Sequence, residues 1–262
     1  MKRTLTTIKA TTLVTIIALS STLATAPHAS AKGFDIIDSV RQALSGKDSS
    51  QKTSVTSSSD KSKLQQIISK GDQEIARRLQ SLNKLEGQIN AATKLSAASK
   101  ATLVGEVNTT ITGLNTLKVK LDADTNLSDA RNDAKAILSD YRVYALVMPK
   151  AHLVKLADDI LTTSDKLTSL ADKLQTRITA AQQAGKDVAS PQTKLDDLKS
   201  QAAAAQTLAT SVETNIMNLQ PTDYNNNHKL LDGYNGQLKT ARGNNQAAYA
   251  DARAIAQSLK GL

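Results

Sequence analysis

Chemistry in this chain would have to come from three histidines, two adjacent acid pairs and one polar cluster, since cysteine and tryptophan are absent. His152 and His228 each lack a second histidine at i+3 or i+4. Neither therefore completes the His-x-x-x-His type of spacing that places two metal ligands on one helix face. His28 lies within residues 1–31 at the N-terminus. The lack of cysteine leaves no thiol nucleophile, thiolate ligand, disulfide or lipid-modified N-terminal Cys.

The serines fall in a linker-like stretch, at helix caps or on polar faces, and no Gly-x-Ser-x-Gly elbow is present. Asp158-Asp159 and Asp196-Asp197 alternate with lysines in the manner of solvated i,i+4 pairs on exposed helix faces. No glycine-rich phosphate loop follows a strand pattern. Tyr224-Asn225-Asn226-Asn227-His228 is rich in hydrogen-bonding groups and suits either a glycan or protein contact or a helix cap. We therefore assign no catalytic, cofactor-binding or metal-binding residue and expect a protein that is not an enzyme.

Positioning such groups falls to helices. Only 2% of residues are aromatic against 40% hydrophobic, much of it Ala and Leu, which favours helices over sandwich or barrel interiors. Residues 1–31 have the layout of a secretory signal: Lys2, Arg3 and Lys9, an apolar run from Thr11 to Ala26, then Ala29-Ser30-Ala31. The run is shorter than the roughly 20 residues of a spanning helix, so export is expected, with retention as an anchor the alternative. Lys2, Arg3 and Lys9 leave with that segment, which lowers the formal charge from +9 to +6. Basic residues interleave with Asp, so no nucleic-acid face is expected, although weak contact with an anionic membrane surface or wall polymer stays open.

Residues 32–59 combine a short amphipathic pattern (Phe34, Ile37, Val40, Leu44) with a Ser-rich linker, and residues 60–262 carry the helical bundle. In the first long helix Ile68, Ile75, Leu82 and Ile89 recur every seven residues, alongside Leu64, Gly71, Arg78, Leu85 and Ala92. We expect Arg78 to lie on the rim with Leu79 taking its seam position. Ser96 is the expected cap of a second helix with stripe Leu103, Val107, Thr110, Ile111, Leu114, Leu117 and Leu121. Asn126 with Asp129 should cap the third.

The third stripe runs Ala130, Ala134, Ile137, Tyr141, Tyr144, Met148 and then meets Pro149. Continued, it would bury Lys155, Asp158 and Thr162. The following helix instead offers Leu153, Leu156, Ile160, Leu167, Leu170, Leu174, Ile178 and Ala181. This predicts a corner at Pro149 with a shifted inward face and core tyrosines. Gly185 should end that helix, and Ser190-Pro191 should cap and open the next, which has Leu195, Leu198, Ala202, Ala205, Leu208, Ala209, Val212, Ile216 and Leu219 inside. The last stripe is Leu231, Tyr234, Leu238, Ala241, Ala248, Ala252, Ile255 and Leu259. The Ala-rich helix should be its neighbour.

The stretches Tyr141-Arg142-Val143-Tyr144-Ala145-Leu146-Val147-Met148-Pro149, Ile160-Leu161-Thr162-Thr163-Ser164-Asp165-Lys166-Leu167 and Asn227-His228-Lys229-Leu230-Leu231 resemble those of a group of exported, coiled-coil-like helical proteins of candidate-phylum bacteria. The likeness covers roughly residues 75 to 260 and implies export and helical architecture. That group has no assigned activity, so no residue role carries over.

The expected fold is all-α: an elongated antiparallel up-and-down bundle of four to five long helices with a short inserted helix, or else an open array of helical hairpins. The expected role is a non-enzymatic scaffold or protein-binding module of the envelope or the cell exterior. Its partner would be a protein or an envelope polymer, with self-association through exposed seams left open. The alternative is a membrane-active bundle that releases the 143 to 148 segment or the Phe34 helix.

Overall fold

The computed structural model describes residues 57–260, so the expected signal, the Phe34 helix and most of the linker lie outside the described residues. Within them the protein is all-α, with helices packed side by side and no strand. The long helices are α1 (Ser58–Ala91), α2 (Ala97–Asp122), α4 (Met148–Gln183), α5 (Ala189–Met217) and α7 (Leu230–Ser258). The short ones are α3 (Leu127–Ser139) and α6 (Pro221–Asn226).

Local signals set several helix ends. Ser96 Oγ accepts from the Ser99 amide at 3.0 Å. Asn126 Oδ1 accepts from the Asp129 amide at 2.9 Å while its Nδ2 donates to Asp129 Oδ2 at 2.6 Å. Gly185 takes the left-handed conformation at φ 73. The amides of Gly185 and Lys186 then reach back to the carbonyls of Gln182 and Ala181, closing α4 as a Schellman motif. The start of α5 differs from expectation. It begins at Ala189, Asp187 Oδ1 accepts the Ala189 amide at 3.0 Å, and Ser190 is already helical.

Two groups of helices share the core. α4, α5 and α7 form a three-helix bundle, with α5 antiparallel to both neighbours, as the pairs Gln175–Gln192 and Lys194–Asp251 show. α1 pairs antiparallel with α2, Lys118 reaching Asp72 at 2.7 Å, and α3 packs on both. One apolar core runs from Ile67 through the start of α4 to Ala241, joining the two groups. A second, from Leu167 to Ile255, fills the far half of the three-helix bundle.

The corner lies earlier than Pro149. α3 stops at Ser139, and Arg142 adopts the left-handed conformation at φ 41, ψ 37. A π-helical turn, Val143–Val147, leads directly into α4, with the Val147 amide donating to Arg142 O at 3.2 Å. Met148 is right-handed helical despite the proline that follows. Pro149 is the second residue of α4, and the helical path of the π turn continues through it without a break.

Arg142 is held from the other side of the fold. Its Nε donates to Asn225 Oδ1, its guanidinium lies 5.6 Å from the Tyr224 ring centre, and Asn225 Nδ2 donates to Ser139 O at 3.0 Å. The Tyr224–His228 cluster thus belongs partly to α6 and clamps the corner.

Several residues are buried or exposed against expectation. Arg78 is 3% exposed and keeps its seam position, whereas Leu79 is only partly buried. Its charge is met by Glu74 one turn back and by the Tyr144 ring 5.1 Å away. At the start of α1, Ile67 replaces Ile68 in the core because a straight helix drifts against a seven-residue repeat. Tyr144, expected in the core, is 45% exposed, since α3 ends at Ser139 and left-handed Arg142 breaks the helical period before Tyr144 is reached. Tyr141 is half-buried against Gly113.

Glycine substitutions should separate these environments. A Cβ on Gly113 would lie 2.6 Å from the Tyr141 ring, and one on Gly71 would overlap Leu121. Around Gly233, Gly236 and Gly243 it would meet nothing. Alanine at each of the last three should add up to about 1 kcal/mol of stability through helix propensity. Gly71→Ala should instead lose about 1–3 kcal/mol by overpacking. Chemical denaturation of the five single variants reads both signs.

Candidate interaction site: the helix joint and the α1–α4 cleft

The start of α4 is buried on both faces because it lies between the two helix groups. Lys150, Ala151, Leu153, Val154, Ala157, Asp158 and Ile160 are all inside. Both inward frames are therefore used there. Of the polar positions of the first frame, Asp158 is inside and meets a helix end while Lys155 stays exposed, and Lys150 lies outside both frames.

Lys150 is 1% exposed and donates from Nζ to Glu106 Oε1 at 2.8 Å, Leu219 O at 2.7 Å and Met217 O at 3.4 Å. Three ammonium protons thus find three acceptors, two of them carbonyls just where α5 ends and favours a cation. Asp158 does the opposite at the start of α2, its Oδ2 accepting the Ser96 amide at 3.2 Å. Ser99 Oγ donates to Glu213 of α5 beside it. Burial raises the Asp158 pKa and nearby Glu213 adds to this, while the Ser96 amide opposes it. Of the acid pair, only Asp159 is near the surface, paired with Lys94 at 3.2 Å. Asp196 and Asp197 are both exposed, as expected.

A third buried polar contact lies where the two apolar cores meet. The Ser164 hydroxyl proton lies between two acceptors, Ile160 O and Asn245 Oδ1, each at 3.0 Å from Oγ, and Asn245 Nδ2 donates to Ile160 O at 3.0 Å. Asn245 sits in the spacing of Leu238, Ala241, Ala248 and Ala252, so the last stripe itself marks it. Nothing local marks Lys150, whose acceptors lie 44, 67 and 69 residues away.

Between α1 and α4 runs a half-open groove of about 320 Å³. Leu85, Ile89, Ala92, Leu95 and Ala151 lie along its bottom, with Gln88, His152 and Lys155 at its edge. Partial burial and neighbouring Lys155 lower the His152 pKa. His228 is elsewhere, its ring 5.3 Å from that of Tyr224. Among the described residues no three His, Cys, Asp or Glu side chains gather where one metal ion could hold them.

At the α2–α3 turn Asp124, Asp129 and Asp133 crowd together, with Lys120 on Asp133 at 2.7 Å. Burial, then Asp133 and Asp129, push the Asp124 carboxyl up to about 6. A pKa above the unfolded value means the folded state holds the extra proton. This contribution is complete below about pH 4 and is lost as pH rises through about 6. Asp124→Asn should therefore melt higher than the parent at pH 7, with the difference vanishing near pH 4. Paired melts across that range check it.

Compared with known family models, curated proteins and solved structures, the chain matches none.

Proposed function

We propose that this protein is a non-enzymatic helical-bundle module, exported to the envelope or the cell exterior, that acts there as a scaffold or spacer by binding another protein. The observation that carries this reading is how the buried polar groups are used. Lys150, Asp158, Ser99 and Asn245 each join one helix to another, and their partners are helix ends or opposing side chains. Such contacts make a rigid body rather than a reaction centre.

Export supports the envelope setting and rests on the layout of residues 1–31. Affinity capture from envelope extracts with the full chain tests the binding role, and cell fractionation tests the location. A discrete partner recovered from the envelope or exterior fraction is the expected result. No partner, together with measurable turnover of a small substrate, would overturn the reading.

A further inference from the structure

We propose that the cleft between α1 and α4 docks an acidic amphipathic segment of a partner protein, seating an apolar side chain over Leu85 and Ile89 and a carboxylate against Lys155. The inference rests on the protein-binding reading and names the partner's chemistry.

The groove has an apolar bottom, and its two ionisable lining groups, His152 and Lys155, are both bases. No carboxylate lines it. Without residues 1–31 the chain carries a formal charge of +6. An approaching acidic segment is therefore attracted at long range and meets no like charge at the groove edge.

The surface continues beyond the groove. Ser81, one turn before Leu85 on α1, hydrogen-bonds the Tyr144 hydroxyl at 3.0 Å. Tyr144 is 45% exposed and stacked on buried Arg78, so it is presented on a fixed platform. Tyrosines held in this way are frequent anchors of protein interfaces. π turns also recur at functional positions. A free small molecule fits less well, since small-molecule sites enclose about 70–90% of their ligand and this groove is open along one side.

Three fluorescent peptides, identical in their leucine stripe but carrying Glu, Gln or Lys on the polar face, would be titrated with the full chain by anisotropy at low salt. The Glu peptide should bind at least about tenfold tighter than the Gln peptide, and the Lys peptide should bind weakest. Gln88→Trp fills the groove and Lys155→Glu reverses its edge. Each should weaken the Glu peptide about tenfold or more without changing the melting temperature, and Lys155→Glu should improve the Lys peptide.

Equal affinity for the three peptides, no binding of the Glu peptide up to about 1 mM, or unchanged affinity in Gln88→Trp would overturn the proposal. Self-association abolished by Gln88→Trp would assign the cleft to a second copy instead and also overturn it. A partner captured equally by the parent and by Gln88→Trp would leave the protein-binding reading standing and refute only this location.

Discussion

Replacing Lys150 with alanine is expected to remove about 3–5 kcal/mol of folding stability, the cost typical of breaking a buried charged pair from one side. The lysine is 1% exposed, and its ammonium is the hydrogen-bond donor for Leu219 O at 2.7 Å and Glu106 Oε1 at 2.8 Å. Without it the end of α5 loses its cation, and the aliphatic stem leaves a cavity between the two helix groups.

Lys150→Met keeps most of that volume and removes the charge, so it should fall between the parent and Lys150→Ala. Glu106→Gln should cost least, because Glu106 is 26% exposed in its side chain and water can replace part of what is lost. Urea denaturation of the three variants gives the order. A loss below about 1 kcal/mol for Lys150→Ala would mean that the joint does not depend on this cation.

The second large effect is expected at Asn245. Its amide bonds both Ser164 and the Ile160 carbonyl inside the three-helix bundle. Asn245→Ala should cost about 2–3 kcal/mol, combining an unsatisfied buried partner with lost packing. The double variant Ser164→Ala, Asn245→Leu removes both polar side chains and fills the space. It should recover most of that loss, because replacing both partners by apolar groups avoids the desolvation penalty.

The polar pair also joins α4 to α7, and only one axial alignment brings Asn245 to Ser164. The apolar double variant should therefore keep stability but lose alignment, seen as broadened amide resonances in α7 or faster amide exchange there. Sharp spectra with parent-like exchange would show that side-chain packing alone sets the alignment. A double-mutant cycle supplies the coupling energy between the two positions.

Much of the fold was legible before any coordinate. Ser96 and Asn126 cap the helices they were expected to cap, Gly185 closes α4, and the Ala202–Ala205–Ala209 seam of α5 packs against α7. Capping needs only neighbouring residues, and a buried stripe leaves its period in the chain. These are local properties, so the sequence carries them openly.

The corner was misplaced because stripe spacing assumes one helical period. α3 stops at Ser139 and Arg142 turns the chain before a π turn begins, a break that no composition rule announces and that leaves Tyr144 outside while the helical path runs on through Pro149. Arg142 takes a conformation uncommon for a side-chain-bearing residue, held by Tyr224 and Asn225 from more than eighty residues away.

By itself, then, the sequence determined an all-α chain, the long helices, the caps at Ser96, Asn126 and Gly185, and most of the seams. Tertiary structure alone decided that Lys150 and Asp158 are inside, and it supplied the partner that lets Asn245 keep its place in the last stripe. The physical reason is that burying a polar group is unfavourable until a partner arrives, and each of the three partners that sequence reading missed is brought by a fold-level approach: the end of α5 for Lys150, the start of α2 for Asp158 and the side of α4 for Asn245. Only the Glu74 contact of Arg78 was within local reach, one turn away on the same helix.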